Sequence, residues 1–591
     1  MNIVHDIKEM VVRSLKKLYG YEAGEADLTI NSTKPEFEGD YTLVLFSFVK
    51  QLKKSPEQLG NEIGKDLVDS NPGILTAFNV IKGFLNLTVS DQYWIRFLLK
   101  NHADPSFGRK PANGQKVMVE YSSPNTNKPL HLGHLRNIFL GWSVAQILKG
   151  SGYEVIKSCI VNDRGIHICK SMIAWQRFAN GATPQSTGMK GDHFVGEYYV
   201  KFNDAYKAEV DKLVQEGLNK ETAEKEAPIM KATQQMLLDW EAGKPEVIEL
   251  WKKMNGWVYD GFDVTYKRIG ADFQKMYYES NTYIVGKQFV MDGLKEGVFY
   301  KKEDGSIWID LTAEGLDEKL VLRKDGTSVY ITQDLGLAQQ KYDEFKYDQS
   351  LYVIADEQNY HMKVLKLTLQ KLGKPYADGI DHLSYGMVEL PSGRMKSREG
   401  TVVDADDMVE EMVNVARAKT EELGKVKDFT AEELKELYDT IALGALKFFL
   451  LRVDPKKKMI FNPEESIDFH GFTGPFVQYT HARIRAILRK AEGSRQPAEA
   501  RDLLKLEKNL IVQLEQYPVI LEQAVTEHNP SVIAIYVFNL AKAFNTFYTE
   551  HSVMNAESEE KKQLRLQLSE MTANVIASGM GLLGIRVPER M

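Results

Sequence analysis

The strongest constraint on the fold lies between residues 116 and 161. The run KVMVEYS at 116–122 is β-rich and breaks at Ser123-Pro124-Asn125. The apolar stripe Leu135, Ile138, Phe139, Trp142, Ala145 and Leu148 then marks a helix from about Gly133 to Lys149. Gly150-Ser151-Gly152 stops that helix, and 153–161 reads as a second strand. Strand, crossover helix and strand at this spacing form the βαβ unit of a parallel sheet. Further strand signals follow at 306–310, 328–332 and 350–354.

The rest of the chain must fit around that sheet. Its 591 residues allow about three to five domains. Val4, Ile7, Val11, Val12, Leu15 and Leu18 recur at helical spacing, and 81–87 alternates like a strand. With the Pro- and Gly-punctuated stretch 104–114 as a linker, residues 1–110 form a small α+β domain. Residues of about 175–270 are charged and helical and read as an insertion in a 111–405 domain. From about 405 onward the pattern is almost wholly helical, divided into a connector over 406–465 and a domain over 466–591.

Composition removes several classes of function. Seventy-five basic residues against 82 acidic ones give a net charge of −7, so no whole-chain basic field announces nucleic acid. Cys159 and Cys169 are the only cysteines, which excludes a disulfide framework, a Cys-x-x-Cys zinc site and a four-cysteine cluster. Asp6 and Glu9 interrupt the N-terminal pattern, so it is no signal peptide, and no 18-residue apolar run occurs. The expectation is a soluble chain of a reducing compartment.

The chemistry concentrates at Glu120-Tyr-Ser122-Ser-Pro-Asn125-Thr-Asn-Lys128-Pro-Leu-His131-Leu-Gly133-His134. It lies where a strand ends and a helix begins, where unpaired N–H groups suit phosphate. Gly133 between two histidines leaves room for a flat ligand such as adenine. A metal reading of His131 and His134 lacks a third ligand at suitable spacing. Gly579-Met-Gly581-Leu-Leu-Gly584 satisfies G-x-G-x-x-G, but only seven residues follow, so it is a packed helix end. Arg483, Arg485, Arg489 and Lys490 fall in one helical run without an acid, which fits phosphate contact or an ordinary solvated face. Tyr479, Phe544, Phe547 and Tyr548 nearby fit base stacking or core packing.

The run Pro129-Leu-His131-Leu-Gly133-His134 resembles the H-I-G-H signature of class I aminoacyl-tRNA synthetases. The longer string SSPNTNKPLHLGHLRN resembles the arginyl-tRNA synthetase form of it. Asn162-Asp163-Arg164-Gly165, Tyr330-Ile-Thr-Gln-Asp334, the run 352–358 and GPFVQYTHAR at 474–483 match the family in order. The second signature, K-M-S-K-S, is degraded to Arg394-Met395-Lys396-Ser397-Arg398-Glu399-Gly400. Ser397 stands where its lysine would be, and family members lacking that lysine carry one at the place of Lys128.

The resemblance implies a doubly wound parallel, Rossmann-like catalytic sheet with a helical insertion, an N-terminal α+β domain that contacts tRNA and a C-terminal all-α anticodon-binding domain. It implies an arginine–tRNA ligase, using ATP with Mg²⁺ as a substrate complex, with no tightly bound cofactor or metal. Lys128, His131, His134, Lys396 and Arg398 would be catalytic, and His131, Gly133, His134 and Met395 would bind ATP. Tyr330 and Asp334 would hold the arginine side chain, and Glu120, Ser122, Asn125 and Gln358 its polar ends. Such a grouping suits a guanidinium, which is planar, charged and rich in donors. Tyr479, Arg483, Arg485 and Arg489 would touch tRNA. The enzyme is expected as a cytoplasmic monomer without membrane contact, and commonly needs bound tRNA before activating arginine. A nucleotidylyltransferase with the same first signature leaves the helical C-terminus unexplained. A tRNA-binding relative without catalysis leaves Lys128 unexplained.

Overall fold

A computed structural model describes residues 2–34, 36–283, 285–391, 403–422, 428–492 and 501–591. Its central sheet has five parallel strands in the spatial order Ile380–Tyr385, Gln349–Ala355, Lys116–Glu120, Glu154–Val161, Lys275–Tyr278. The strand order reverses between Lys116–Glu120 and Gln349–Ala355, where Glu120 lies opposite Tyr352. That is the topological switch point of a doubly wound sheet, and its ligand crevice opens at the carboxyl ends of these two strands.

The helix Leu132–Gly150 connects Lys116–Glu120 to Glu154–Val161 and is buried nearly all round. One face packs on the sheet, where Asn137 Nδ2 donates to the Val353 carbonyl at 2.7 Å. The other face lies under the C-terminal helices, where Ser143 Oγ donates to the Leu582 carbonyl at 2.9 Å. Arg136 is fully buried and donates to the carbonyls of Pro455 and Lys457 at 3.2 and 2.9 Å. Burial lowers its guanidinium pKa to about 10, and those carbonyls replace the lost water.

The insertion is a helical pack that includes Gly191–Gln215, Pro228–Glu241 and Pro245–Ile269. Beyond it, Ile307–Ile309 belongs to a separate three-stranded antiparallel sheet with Tyr300–Lys301 and Lys319–Leu322. The alternation at 328–332 is not a strand. Val329 caps a helix, Tyr330–Phe345, and its N–H donates to Thr332 Oγ1 at 3.2 Å. A local side-chain bond thus outweighs β propensity. The run 81–87 is likewise no single strand. Leu75–Ile81 and Phe84–Val89 form a hairpin whose turn residues Lys82 and Gly83 both have positive φ, 50° and 81°.

That hairpin belongs to a four-stranded antiparallel sheet in the N-terminal domain. The domain docks on the C-terminal helices: the Ile3 N–H donates to Glu515 at 2.8 Å and Lys508 Nζ to Asp40 at 2.9 Å. The helix Glu559–Leu582 runs through the C-terminal core. A Cβ on its Gly579 would meet Val537 Cγ1 at 2.4 Å, so the glycine pattern there serves helix packing.

Candidate active site

At the end of Lys116–Glu120 the chain turns sharply, with Ser122 and Ser123 both at positive φ, 79° and 45°. Strain of this kind, in residues with a Cβ, gathers at functional sites. Ser122 is held from two sides: its N–H donates to Asn137 Oδ1 at 2.5 Å, and its hydroxyl lies 2.7 Å from the Tyr266 hydroxyl of the insertion. It is buried, so its contacts here are with the scaffold. Asn125 is exposed, on a segment bridged to Asn162.

The first signature caps the Leu132–Gly150 helix with its own rings. The Gly133 N–H donates to His131 Nδ1 and the His131 N–H to His134 Nδ1, each at 3.1 Å. A nitrogen that accepts carries no proton, so both neutral imidazoles hold theirs on Nε2. Burial, with Lys128 nearby, lowers His131 to about 3; burial and the neighbouring charges push His134 down as well. The rings lie 4.0 Å apart. A Cβ on Gly133 would come within 2.9 Å of His131 Cε1, so this glycine makes room for the folded-back ring. Burial also lowers Lys128. Lys128 and His131 line a cavity of about 310 Å³ with Met189, His193, Tyr199 and Asp404.

The strand-like Leu130–Leu132 segment pairs with 403–405. The Leu132 N–H donates to the Val403 carbonyl at 3.2 Å and the Ala405 N–H to the Leu130 carbonyl at 3.0 Å. Met395, Lys396 and Arg398 lie outside the described residues, and this pairing places the chain that follows them against His131.

Across the switch point, Tyr330 opens the Tyr330–Phe345 helix and is 78% exposed, with Asp334 one turn along. Asp334 is engaged: His361 Nε2 lies 2.6 Å from its Oδ2. Gln358 is exposed in the turn after Gln349–Ala355. Glu120, expected at arginine's polar ends, is buried with Lys341 Nζ 2.5 Å from its Oε2 and Tyr352 beneath that ammonium.

A cleft of about 690 Å³ runs beside Tyr330 and includes Arg164, Glu279, Tyr283 and Gln333. Burial first, then the charges of Asp163 and Asp334, raises the Glu279 carboxyl to about 7 against the opposing pull of Arg164. Arg164 lies over the Tyr283 ring at 3.9 Å. Asp163 is buried and accepts from Tyr259, Ser280 Oγ and the Ser280 N–H at 2.9, 2.7 and 2.8 Å, tying the insertion to the sheet. Sequence reasoning missed Glu279, His361 and Lys341. Each acts through a partner distant in the chain, and none carries a local signal.

The basic helix is Gly474–Lys490. Arg483 donates to Asn545 at 2.6 Å and lies 4.9 Å from the Tyr479 ring. Arg485 and Arg489 both meet Glu589, at 3.3 and 3.8 Å, so the acid missing from the helix comes from the chain end. Phe544 and Phe547 are fully buried core residues, whereas Tyr548 is partly exposed.

Among the described residues, Asp192, His193 and Asp406 are spaced for a metal, but Lys190 Nζ occupies their midst at 3.0 Å from Asp192 and 2.6 Å from Asp406. No described helix is long and apolar enough to cross a membrane.

Three family models match the chain: the N-terminal domain of arginyl-tRNA synthetases over 5–89, the class I tRNA synthetase (R) catalytic domain over 97–462 and the DALR anticodon-binding domain over 477–591. The arginine–tRNA ligase of Bacteroides thetaiotaomicron is 52% identical over the whole of both chains. That of Flavobacterium psychrophilum is 53% identical over 96% of this chain and 97% of its own. The arginyl-tRNA synthetase structure from Thermus thermophilus superposes with a TM-score of 0.79 at 25% identity, covering 99% of this chain and all of that one.

Proposed function

The chain belongs to the arginyl-tRNA synthetase family of class I aminoacyl-tRNA synthetases, and on that premise we propose how its residues divide the reaction. The activity is ATP-dependent activation of arginine followed by charging of tRNA. An oxygen of the arginine carboxylate bonds to the α-phosphorus of ATP, the bond to the bridging oxygen breaks, and pyrophosphate leaves. The terminal adenosine's hydroxyl then attacks the acyl carbon and AMP departs.

No step requires a covalent bond to the protein, so positioning and charge stabilisation supply the rate. The observation that carries this reading is the fixed tautomer of the two signature histidines at the switch point. Their Nε2–H groups are donors for phosphate oxygens, and the desolvated Lys128 ammonium suits the departing pyrophosphate. Lys396, Arg398 and Met395 are assigned to the same end, and Gly133 to the ATP face. Tyr330 and Asp334 take the guanidinium, Asn125 and Gln358 the amino and carboxylate ends. Glu120 with Lys341, and Ser122 with Tyr266, make the floor beneath them. Mg²⁺ travels on the ATP phosphates, since histidine and lysine donors around the signature suit phosphate and leave the ion to the nucleotide.

Tyr479, Arg483, Arg485 and Arg489 are assigned to tRNA, and we take the four stretches 1–110, 111–405, 406–465 and 466–591 as working units. We take the enzyme to act as a monomer in the cytoplasm, a location that fits its two buried free cysteines. The test is charging of total tRNA with each of the 20 amino acids. Arginine alone should be esterified, and His134→Ala should abolish most of the rate. Charging by another amino acid in place of arginine would refute the reading.

A further inference from the structure

Asp334 is the acid assigned to the guanidinium, yet one of its oxygens is already taken. His361 lies on the next helix, Asn359–Lys371, and its Nε2 is 2.6 Å from Asp334 Oδ2. A carboxylate only accepts, so Nε2 is the donor and its proton is fixed there. The Nδ1 atom is then the nitrogen that gains or loses a proton. We propose that His361 is a positioning residue for arginine recognition, holding Asp334 by this bond so that arginine binding and protonation of Nδ1 oppose each other. The inference rests on Asp334 as the guanidinium ligand.

Two effects combine in this pair, order and charge. A carboxylate one turn into a helix has free rotation about two side-chain bonds, and a short bond to a partly buried ring removes much of it, so less order must be gained on binding. As for charge, neutral His361 leaves Asp334 its full charge for the substrate, whereas an imidazolium spends that charge before arginine arrives. A bound guanidinium in turn drives the proton off, because coupling between two ligands is reciprocal. The elements packed against the Asn359–Lys371 helix carry the charged or titratable groups Asp334, Lys341, Tyr342, Asp343 and Glu344 on the preceding helix, Asp356 and Glu357 in the turn before it, and Asp381 and His382 on the neighbouring strand. Asp334 is the one that acts on the ring, and its hydrogen bond raises the imidazole pKa over the opposing effect of burial. Fewer protons are bound in the arginine complex, so affinity falls as pH falls through the raised value, by at most about tenfold per pH unit for one proton. Glu279 also feels the charge of Asp334, and burial raises its carboxyl to about 7, so it needs its own control.

The experiment is arginine binding to the full chain by calorimetry at pH 8, 7 and 6, for wild type, His361→Gln, His361→Leu, Glu279→Gln and Asp334→Asn. Glutamine keeps an Nε2–H donor but cannot take a proton. Wild type should weaken about three- to tenfold between pH 8 and 6. His361→Gln should bind within about threefold of wild type at pH 8 and lose most of that slope, and Glu279→Gln should keep it. His361→Leu should bind about tenfold more weakly at pH 8, with ATP affinity unchanged. Wild-type affinity in His361→Leu, or a full slope in His361→Gln, would overturn the proposal. Asp334→Asn separates the two layers. If it binds arginine normally, the assignment of Asp334 has failed. If it binds poorly while His361→Gln keeps its slope, the assignment stands and the role of His361 falls.

Discussion

The two sides of the crevice are prepared in opposite ways. On the phosphate side, His131, His134 and Lys128 are desolvated bases, and burial pushes all three toward their neutral forms. On the proposed arginine side, two of the acids are already matched by basic side chains, Glu120 by Lys341 and Asp334 by His361. On the proposed assignments, the phosphate side presents imidazole N–H donors and a lysine to the ligand's phosphates. The arginine side has acids whose geometry is set before the ligand arrives. A region that donates to developing charge acts on the rate, because charge moves there in the transition state. A region whose charge is already placed acts on affinity and selectivity.

The separation breaks most visibly at His134. His134→Ala removes a fixed donor from the developing phosphate charge, and activation should fall by about 10²–10³, as for loss of one oxyanion donor. Arginine affinity should hold. Single-turnover adenylate formation with tRNA present checks this, and an unchanged rate would leave the ring a structural helix cap. Asp334→Asn should act on the other side, raising the Michaelis constant for arginine about 10–10²-fold, the scale of a lost hydrogen bond to a charge, with that for ATP unchanged. Lysine, which lacks the planar fork, should remain excluded in wild type.

Lys128→Ala sharpens the phosphate side further. With Ser397 in place of the second-signature lysine, turnover should drop about tenfold or more while arginine binding stays within about twofold. Measured turnover equal to wild type would show Lys128 to be an ordinary loop charge.

Two buried histidines, His131 at the signature and His481 in the C-terminal helix Gly474–Lys490, also predict an acid response of stability. His131 is lowered to about 3 and His481, through burial first, to about 4. Between those values and about 6.5 the unfolded chain binds more protons than the folded one, so stability rises with pH across that window and is lost as pH falls through it. His361 and His193 have the opposite sign: their raised values add stability below about 6.5 that fades as pH rises through the folded pKa. Replacing His481 by Gln should lessen the decline of the melting temperature between pH 7 and 5, and an unaltered decline would contradict that assignment of sign.

The smallest effect is expected furthest from the crevice. Replacing Arg483, Arg485 and Arg489 together by Ala should weaken tRNA binding and lower the slope of log affinity against log salt by about 1–2. Three full phosphate contacts would give more, but Arg485 and Arg489 share Glu589. Arginine and ATP affinities should not change.

What the sequence made legible follows from the range of the forces involved. The βαβ unit at 116–161 was readable because helix and strand periodicities are local, and the signature helix because its cap lies within four residues. The alternation at 328–332 misled, because Thr332 settles the contest through a bond to Val329 that periodicity does not express. The Lys82-Gly83 turn was missed inside a run that alternates on both sides of it. At the site, Asp334 and Glu120 were identifiable as acids, but their partners were not. His361 and Lys341 reach them only because the helices fold back over the sheet. Ser122 was expected at the ligand, and the partners its twisted backbone gives its polar atoms, Asn137 and Tyr266, carried no signal in the sequence.

The proposed assignments divide rate and arginine affinity between the two sides of the switch point. ATP–pyrophosphate exchange measures that division most directly, with cognate tRNA present and arginine and ATP varied against each other, for wild type, His134→Ala and Asp334→Asn. His134→Ala should lower kcat with the arginine KM within about twofold of wild type, and Asp334→Asn should raise the arginine KM with the ATP KM unchanged. Both variants shifting kcat and the arginine KM by the same factors would contradict the division.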